Sequence, residues 1–463
     1  MRKQNQSWLS RIPLPVMVGA WLALVGVGAV LMFQVLFKPA TPIAPPVPVK
    51  ATPITPAAPI ALQSTTAPGA PPVKPATPIA TLNPKLGADG LYPELPFGFG
   101  AQVNGIVGNP ADSVDLADRL HVRWIKQQVQ WGVYEHEQGK MDWTGYDLII
   151  EAAHARGLRV MLSIVTAPKW THPNLPPSTP PGENDPESIK GPPDDPAAFA
   201  NFVGTVVDRY QGKIQAIEVW NEQNLVREWR TTPQIINATR YVDLLRATYQ
   251  AIKARDPSIL VISGALSPTG MDDPVNAIDD FKYLQQMIDA GLIDTTDCVG
   301  AHHNGYNVGP NVGAADAPGS PKAATAKFRG PFDNLKGAPH HSWFFKDTLQ
   351  GYNNLLKGAK PLCVTEFGWA TSEGYDSFPP GFEFAQDNTV QEQGEYLTQA
   401  YQLMQAWGFV KLAFLWNLDY GNKGDTAKGA QDDPVPYSLI AIGGTKRGSW
   451  DPVRLYLKGV TGD

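Results

Sequence analysis

Apolar residues fall along this chain in three successive patterns. From Val16 to Phe37 they run almost without a break, interrupted only by Gln34. A run of this length matches the roughly 20 residues that cross a hydrocarbon core, and it exceeds the 7–15 apolar residues, roughly, of a cleaved signal peptide. An uncleaved signal-anchor helix over 16–37 is the expectation. Arg2, Lys3 and Arg11 precede it and only Lys38 follows closely. The positive-inside rule then leaves residues 1–15 in the cytoplasm and everything after the span outside. The second pattern, 38–85, has neither helical nor strand period. Lys38-Pro-Ala-Thr-Pro-Ile-Ala44 recurs at Lys74–Ala80, with a partial copy at Lys50–Ile54. Proline at that density gives a polyproline-type spacer, on the order of 100 Å long when extended at about 3.1 Å per residue.

The third pattern fills residues 86–463. Short apolar runs alternate with stretches of helical period, as in parallel α/β folds. Eight strands are predicted: Phe97–Val103, Val122–Val129, Arg159–Val165, Ile214–Trp220, Leu260–Ala265, Cys298–His302, Pro361–Thr365 and Lys411–Trp416. Helices are predicted at Gly145–Arg156, Asp195–Tyr210, Tyr241–Arg255, Phe281–Ala290, Trp343–Leu356 and Gln391–Trp407, with a last one near Pro452–Lys458. Glycines follow several of them as stop signals. The expected fold is an α/β (β/α)8 TIM barrel preceded by one transmembrane helix and a Pro-rich linker.

Composition narrows the function classes. The net charge is -6, and no basic cluster lies in the globular part, which argues against nucleic acid as a partner. Thirteen tryptophans fit either a large core or a cleft in which indole faces stack on sugar rings. The two cysteines, Cys298 and Cys363, show no metal or redox spacing and are expected to be buried free thiols rather than a disulfide. No cofactor and no metal are expected, and the barrel is expected to be monomeric.

A TIM barrel carries its chemistry at the C-terminal ends of its strands. Asn221-Glu222 follows the predicted fourth strand, His302-His303-Asn304-Gly305-Tyr306 closes the sixth, Glu366 follows the seventh and Trp416-Asn417 closes the eighth. Two carboxylates therefore meet at one mouth. Glycosidic cleavage needs a proton for the leaving oxygen and an anion for the oxocarbenium-like centre, and a retaining enzyme draws both from two carboxyls about 5–5.5 Å apart. Either Glu alone would more often be a structural residue.

Ile217-Glu-Val-Trp-Asn-Glu222 with Gln223-Asn224, and Thr365-Glu366-Phe367-Gly368, resemble the strand-four and strand-seven signatures of clan A glycoside hydrolases, most closely the family 5 and family 39 types. Leu120–Lys126, followed by Trp131, Glu135, Gly139 and Asp142-Trp143, is similar to the second βα unit of these enzymes. The resemblance covers residues 97–457. It implies Glu222 as general acid/base, Glu366 as nucleophile, and hydrolysis of O-glycosidic, β-type bonds in a polysaccharide or oligosaccharide. It also implies substrate contacts from Asn221, Lys126, His302 or His303, Tyr306 and Trp416, while Trp131, at a strand end, is expected either to be a sugar platform or to pack at the rim. Lys126 stands where the pattern often has Arg, which keeps the charge and loses the planar fork. Three residues rather than one separate His302 from Tyr306.

Glu218 alternates with Trp220 and needs a buried partner, Lys126 or Arg123. Neighbouring histidines on a strand face opposite sides, which disfavours a metal site at His302 and His303. The long connections Pro168–Asp195, Asn304–His341 and Ala370–Asn388 all follow strands and are expected to wall the cleft. A catalytically inactive carbohydrate-binding surface protein and a transglycosylase are the alternatives to a hydrolase.

Overall fold

The structure, a computed structural model, describes residues 86–174, 187–330 and 339–462. The expected cytoplasmic segment, membrane span and Pro-rich linker lie outside these residues. No helix among the described residues is long and apolar enough to cross a membrane.

Eight parallel strands carry the fold: β1 Gly98–Gln102, β2 Trp124–Gln130, β3 Arg159–Val165, β4 Ala216–Val219, β5 Leu260–Ser263, β6 Val299–Gly305, β7 Leu362–Trp369 and β8 Val410–Leu415. They hydrogen-bond in the order β5-β4-β3-β2-β1-β8-β7-β6. Parallel bridges Ile262↔Cys298 and Leu266↔Ala301 join β5 to β6 and bring the two edges together. Gly300 makes this closure possible, because a Cβ there would stand 2.1 Å from the Ser263 carbonyl oxygen.

Among the described residues are eight helices of ten residues or more: α1 Pro110–Leu120, α2 Thr144–Ala155, α3 Pro196–Arg209, α4 Ala238–Lys253, α5 Asp280–Asp289, α6 Phe345–Leu356, α7 Val390–Trp407 and α8 Trp450–Thr461. Five of their starts carry a side-chain cap. The side chains of Asn109 and Asp195 accept from the N–H groups of Ala111 and Ala197, each with proline at the first helical position. Thr389 and Glu392 form a capping box for α7, which ends at Gly408 with φ 72°. Helix α1, whose buried face is Pro110, Ser113, Val114, Ala117 and Leu120, is absent from the sequence-based prediction. Helix α4 begins three residues before the predicted Tyr241, because Asn237 caps it.

The interior is layered. Trp124, Met161, Ala216, Ile262, Cys298, Cys363, Leu412 and Phe414 fill the lower barrel. A larger apolar layer packs the strands against the helices. Further along the strands the interior turns polar, with Lys126, Glu218 and Thr365 all buried.

The two cysteines correct the expectation of free thiols: Cys298 and Cys363 form a disulfide, with Cα atoms 5.8 Å apart. Separated by 65 residues, they flank the β6–β7 pairing and share the barrel interior, a proximity that only strand order creates.

Strand β7 contains one extra residue. Ala301 pairs with Val364 and the next residue, His302, with Glu366, so Thr365 is skipped. On the other side Ala413 pairs with Val364 and Leu415 with Phe367, the same surplus seen from β8. A bulge breaks the in–out alternation. Thr365 and Glu366, although adjacent, thus both reach groups inside the barrel.

The disulfide closes a loop of 65 residues, so replacing both cysteines by alanine is expected to cost about 3–4 kcal/mol of stability, read from denaturant midpoints. Thiol reagent added to unfolded, unreduced protein is expected to label neither cysteine. Labelling of both would contradict the bond.

Candidate active site

The mouth of the barrel opens into a cavity of about 550 Å³ lined by Glu222, Glu366, Asn221, His302, Tyr306 and Trp416. These are six of the eight site residues expected from sequence. The chain is strained where it delivers Glu222. Trp220 and Glu222 both have left-handed backbone angles, φ 77° and 44°, each costing on the order of 1–3 kcal/mol. Packing holds the strain. The Trp220 indole lies against Phe199 and Trp229 and donates to the Glu228 carbonyl at 2.9 Å. The Glu222 amide donates to the Ala265 carbonyl, also at 2.9 Å. Straightening this turn would withdraw Glu222 from the cavity.

Glu366 is set from below. Lys126 is fully buried, and its Nζ lies 3.1 Å from Glu366 Oε1, 3.2 Å from Glu218 Oε2 and 3.3 Å from the Thr365 carbonyl. Burial alone would strip the lysine of its proton, but the charges of Glu218 and then Glu366 outweigh it and keep Lys126 above its ordinary value. Glu218 answers in kind: burial opposes its charge, yet Lys126 and then His302 hold its carboxyl below the usual range, helped by a hydrogen bond from Thr365 (2.6 Å). Glu218 is thus the buried partner of Lys126 that its place on the strand requires. Lys126 supports a carboxylate from beneath and does not line the cavity.

His302 joins the two carboxylates. Its Nδ1 stands 3.2 Å from Glu222 Oε1 and 3.8 Å from Glu366 Oε2. The two facing oxygens are therefore at most about 7 Å apart, a bound that admits the separation of about 5–5.5 Å seen in retaining enzymes. Burial disfavours the charged imidazole, but the Glu366 charge and the bond with Glu222 raise His302 above its ordinary value. His303, one residue on, points the other way, edge-on to Phe345 with ring centroids 5.5 Å apart. Burial pushes its imidazole down to about 3. Of the two histidines, His302 is the one at the carboxylates.

Asn304 donates to Glu366 Oε2 at 3.3 Å. Asn221 Oδ1 is buried, with no hydrogen-bond partner among the described residues. Trp416 and Tyr306 give the cavity aromatic walls, backed by Tyr420 and Phe384. Trp131 is a correction. Strand β2 ends at Gln130, and a single turn, Trp131–Tyr134, carries the indole outward. There it stacks on Phe202 of α3 at 4.7 Å and donates to Glu135. The three long connections wall the cavity as expected, through Lys190, Phe328 and Phe382 among others.

Sequence reasoning missed Arg227 and Glu228, which line the same cavity. Arg227 Nη2 pairs with Glu222 Oε2, and its Nε stands 4.0 Å from Glu228 Oε1. Burial would raise the Glu222 carboxyl, but the charge of Arg227, followed by His302, holds it well below the carboxylate range. Glu228 goes the other way: burial, with the nearby charges of Glu222 and Glu366, outweighs Lys190 and Arg227 and pushes it up to about 7. The loop after Glu222 carries no periodicity or motif that would have flagged either residue.

The architecture is similar to that of a family 39 glycoside hydrolase from Bacteroides cellulosilyticus. That comparison gives a TM-score of 0.55 at 18% identity, over 82% of this chain and 66% of the other. A glucosidase from Croceicoccus marinus gives 0.51 at 11% identity, over 78% and 66%. The chain thus spans just under two thirds of the length of each. At these identities the likeness is one of fold. No family model matches the sequence, and no curated protein does.

Removing Lys126 would leave two buried carboxylates uncompensated. Lys126→Met is expected to cost about 3–5 kcal/mol in unfolding free energy, and adding Glu218→Gln should recover part of it. A loss under about 1 kcal/mol in the single variant would show that water compensates the carboxylates.

Proposed function

We propose that this protein is a retaining glycoside hydrolase that cleaves O-glycosidic, β-linked bonds of an extracytoplasmic polysaccharide or oligosaccharide by double displacement. The observation that carries the reading is His302 Nδ1 within 3.8 Å of both Glu222 and Glu366, which places two carboxylates on either side of one point at a barrel mouth. Glu366 is the nucleophile. Lys126 and Asn304 orient its oxygens, so it presents an anion to the anomeric carbon. Glu222 is the acid that protonates the leaving oxygen and then the base that activates water. Asn221, with an unpaired buried acceptor, is suited to a sugar hydroxyl, and Trp416 offers a stacking platform. The solved structures of similar fold include enzymes described as a family 39 glycoside hydrolase and a glucosidase, which supports the class of reaction and leaves the glycan open.

The same proposal puts the barrel outside the cell on a tether, on the strength of the apolar run 16–37, the cations before it and the Pro-rich stretch behind it. Protease added to intact cells is expected to release a soluble, active domain. Recovery of the barrel only after lysis would overturn this orientation.

The roles of the two carboxylates separate kinetically. Glu366→Ala is expected to form no glycosyl-enzyme with any leaving group, and azide should then give a product of inverted configuration. Glu222→Ala is expected to lose about 10²–10⁴-fold on natural glycans while still being glycosylated by activated aryl glycosides, and azide should give the retained product. The opposite pairing of configurations would reverse the roles. Sugar binding without turnover of any glycan by the wild type would favour an inactive binding protein, and transfer to sugar acceptors in place of water a transglycosylase.

A further inference from the structure

Glu222 reaches the mouth in the wrong state for an acid. A residue that donates a proton must hold one, yet in this arrangement its carboxylate is clasped by Arg227. The same guanidinium stands beside a second carboxyl, Glu228. The two carboxyls are nearly buried, with side chains 8% and 16% exposed, whereas the Arg227 side chain is 61% exposed and flanks the open cavity. One exposed cation therefore lies between two enclosed carboxyls, one assigned to chemistry and the other so far without a role.

The surroundings divide the pair. His302 faces Glu222, and Lys190 faces Glu228. The charge of Glu366 bears on both Arg227 and Glu228. Tyr306 and Asp433 line the same cavity, and Lys126 and Glu218 lie deeper beneath His302. Arg227 holds Glu222 through Nη2 and comes only to 4.0 Å of Glu228, whose burial keeps its proton up to about neutral pH. The pair so holds one proton and one negative charge, with the proton on the residue that cannot use it.

We propose that Arg227 and Glu228 are positioning residues that set the protonation state of Glu222: when a sugar fills the leaving-group side of the cavity, Arg227 turns from Glu222 to Glu228, Glu228 releases its proton and Glu222 takes one up. The exchange breaks one O–H bond at Glu228 and forms one at Glu222, with water carrying the proton between them, and the charge of the site does not change. Glu222 is armed as an acid only with substrate in place, and in the empty site it stays ionised. The proposal rests on the reading of Glu222 as the acid/base.

Two measurements on the full chain test it separately. Infrared titration needs no turnover. Wild type is expected to show a protonated-carboxyl band that disappears as pH rises through about 7 and that is missing from Glu228→Gln. Absence of the band in wild type overturns the proposal. The second measurement is the pH profile of kcat/KM on phenyl and dinitrophenyl glycosides, since only the poorer leaving group needs a full proton. In wild type the alkaline limb should follow the proton stored on Glu228. Glu228→Gln leaves Glu222 alone with Arg227, so its alkaline limb on phenyl glycosides should move down by at least about one pH unit, a tenfold loss at fixed pH above the limb. The loss on dinitrophenyl glycosides should be smaller by a similar factor. Arg227→Met added to Glu228→Gln frees Glu222 from the cation and should move the limb back up, an outcome that a merely structural role for Glu228 does not produce. An unmoved limb, or equal losses on both leaving groups, overturns the proposal. A wild type with the infrared band that cleaves no glycoside defeats the glycosidase reading instead.

Discussion

A lysine with no access to water, held between two carboxylates inside a barrel, is the constraint around which this site is arranged. Lys126 cannot sit there alone, because an uncompensated charge in the interior costs several kcal/mol. Glu218 and Glu366 compensate it at 3.2 and 3.1 Å, and Thr365 donates to Glu218 at 2.6 Å. Such a cluster contributes little net stability beside a well-packed apolar layer. Its effect is positional: Glu366 can rotate away from Lys126 only by leaving a buried cation half-paired. The bulge in β7 serves the same end, since without the surplus Thr365 the strand's alternation would send either Thr365 or Glu366 out of the barrel.

Above this buried layer the two cavity carboxylates are met by different partners. Glu366 is approached by a buried lysine, His302 and Asn304. Glu222 hangs from a strained turn and is met by an exposed arginine. The asymmetry suits the double displacement proposed above, in which the nucleophile keeps one charge state until it bonds and the acid/base changes state twice. A buried partner suits the first role and an exposed one the second.

Much of this was legible in the sequence, because strand ends in a parallel barrel converge whatever their separation along the chain. Strand β3 falls on its predicted span, and Asn221, Glu222, His302, Tyr306, Glu366 and Trp416 meet at one cavity. Features that depend on register or side-chain direction were not legible. The predicted seventh strand stops at Thr365 because the bulge hides its continuation to Trp369. Cys298 and Cys363 look unrelated until β6 and β7 pair. Trp131 follows a strand end, but one helical turn directs it to α3 instead of the mouth. Arg227 and Glu228 sit in an irregular loop whose course is fixed by backbone bonds to Leu225 and Asn276 and by the buried ring of Trp229, none of which has a local sequence signal.

The central claim is that Glu366, held by Lys126, is the group that bonds to the sugar. Peptide mass mapping after incubation with a set of 2-deoxy-2-fluoroglycosides bearing activated leaving groups tests it most directly, because the fluorine slows breakdown of the covalent intermediate. The account predicts a single glycosyl adduct on the peptide carrying Glu366. An adduct on Glu222, or hydrolysis with inversion and no adduct on any carboxylate, would contradict it.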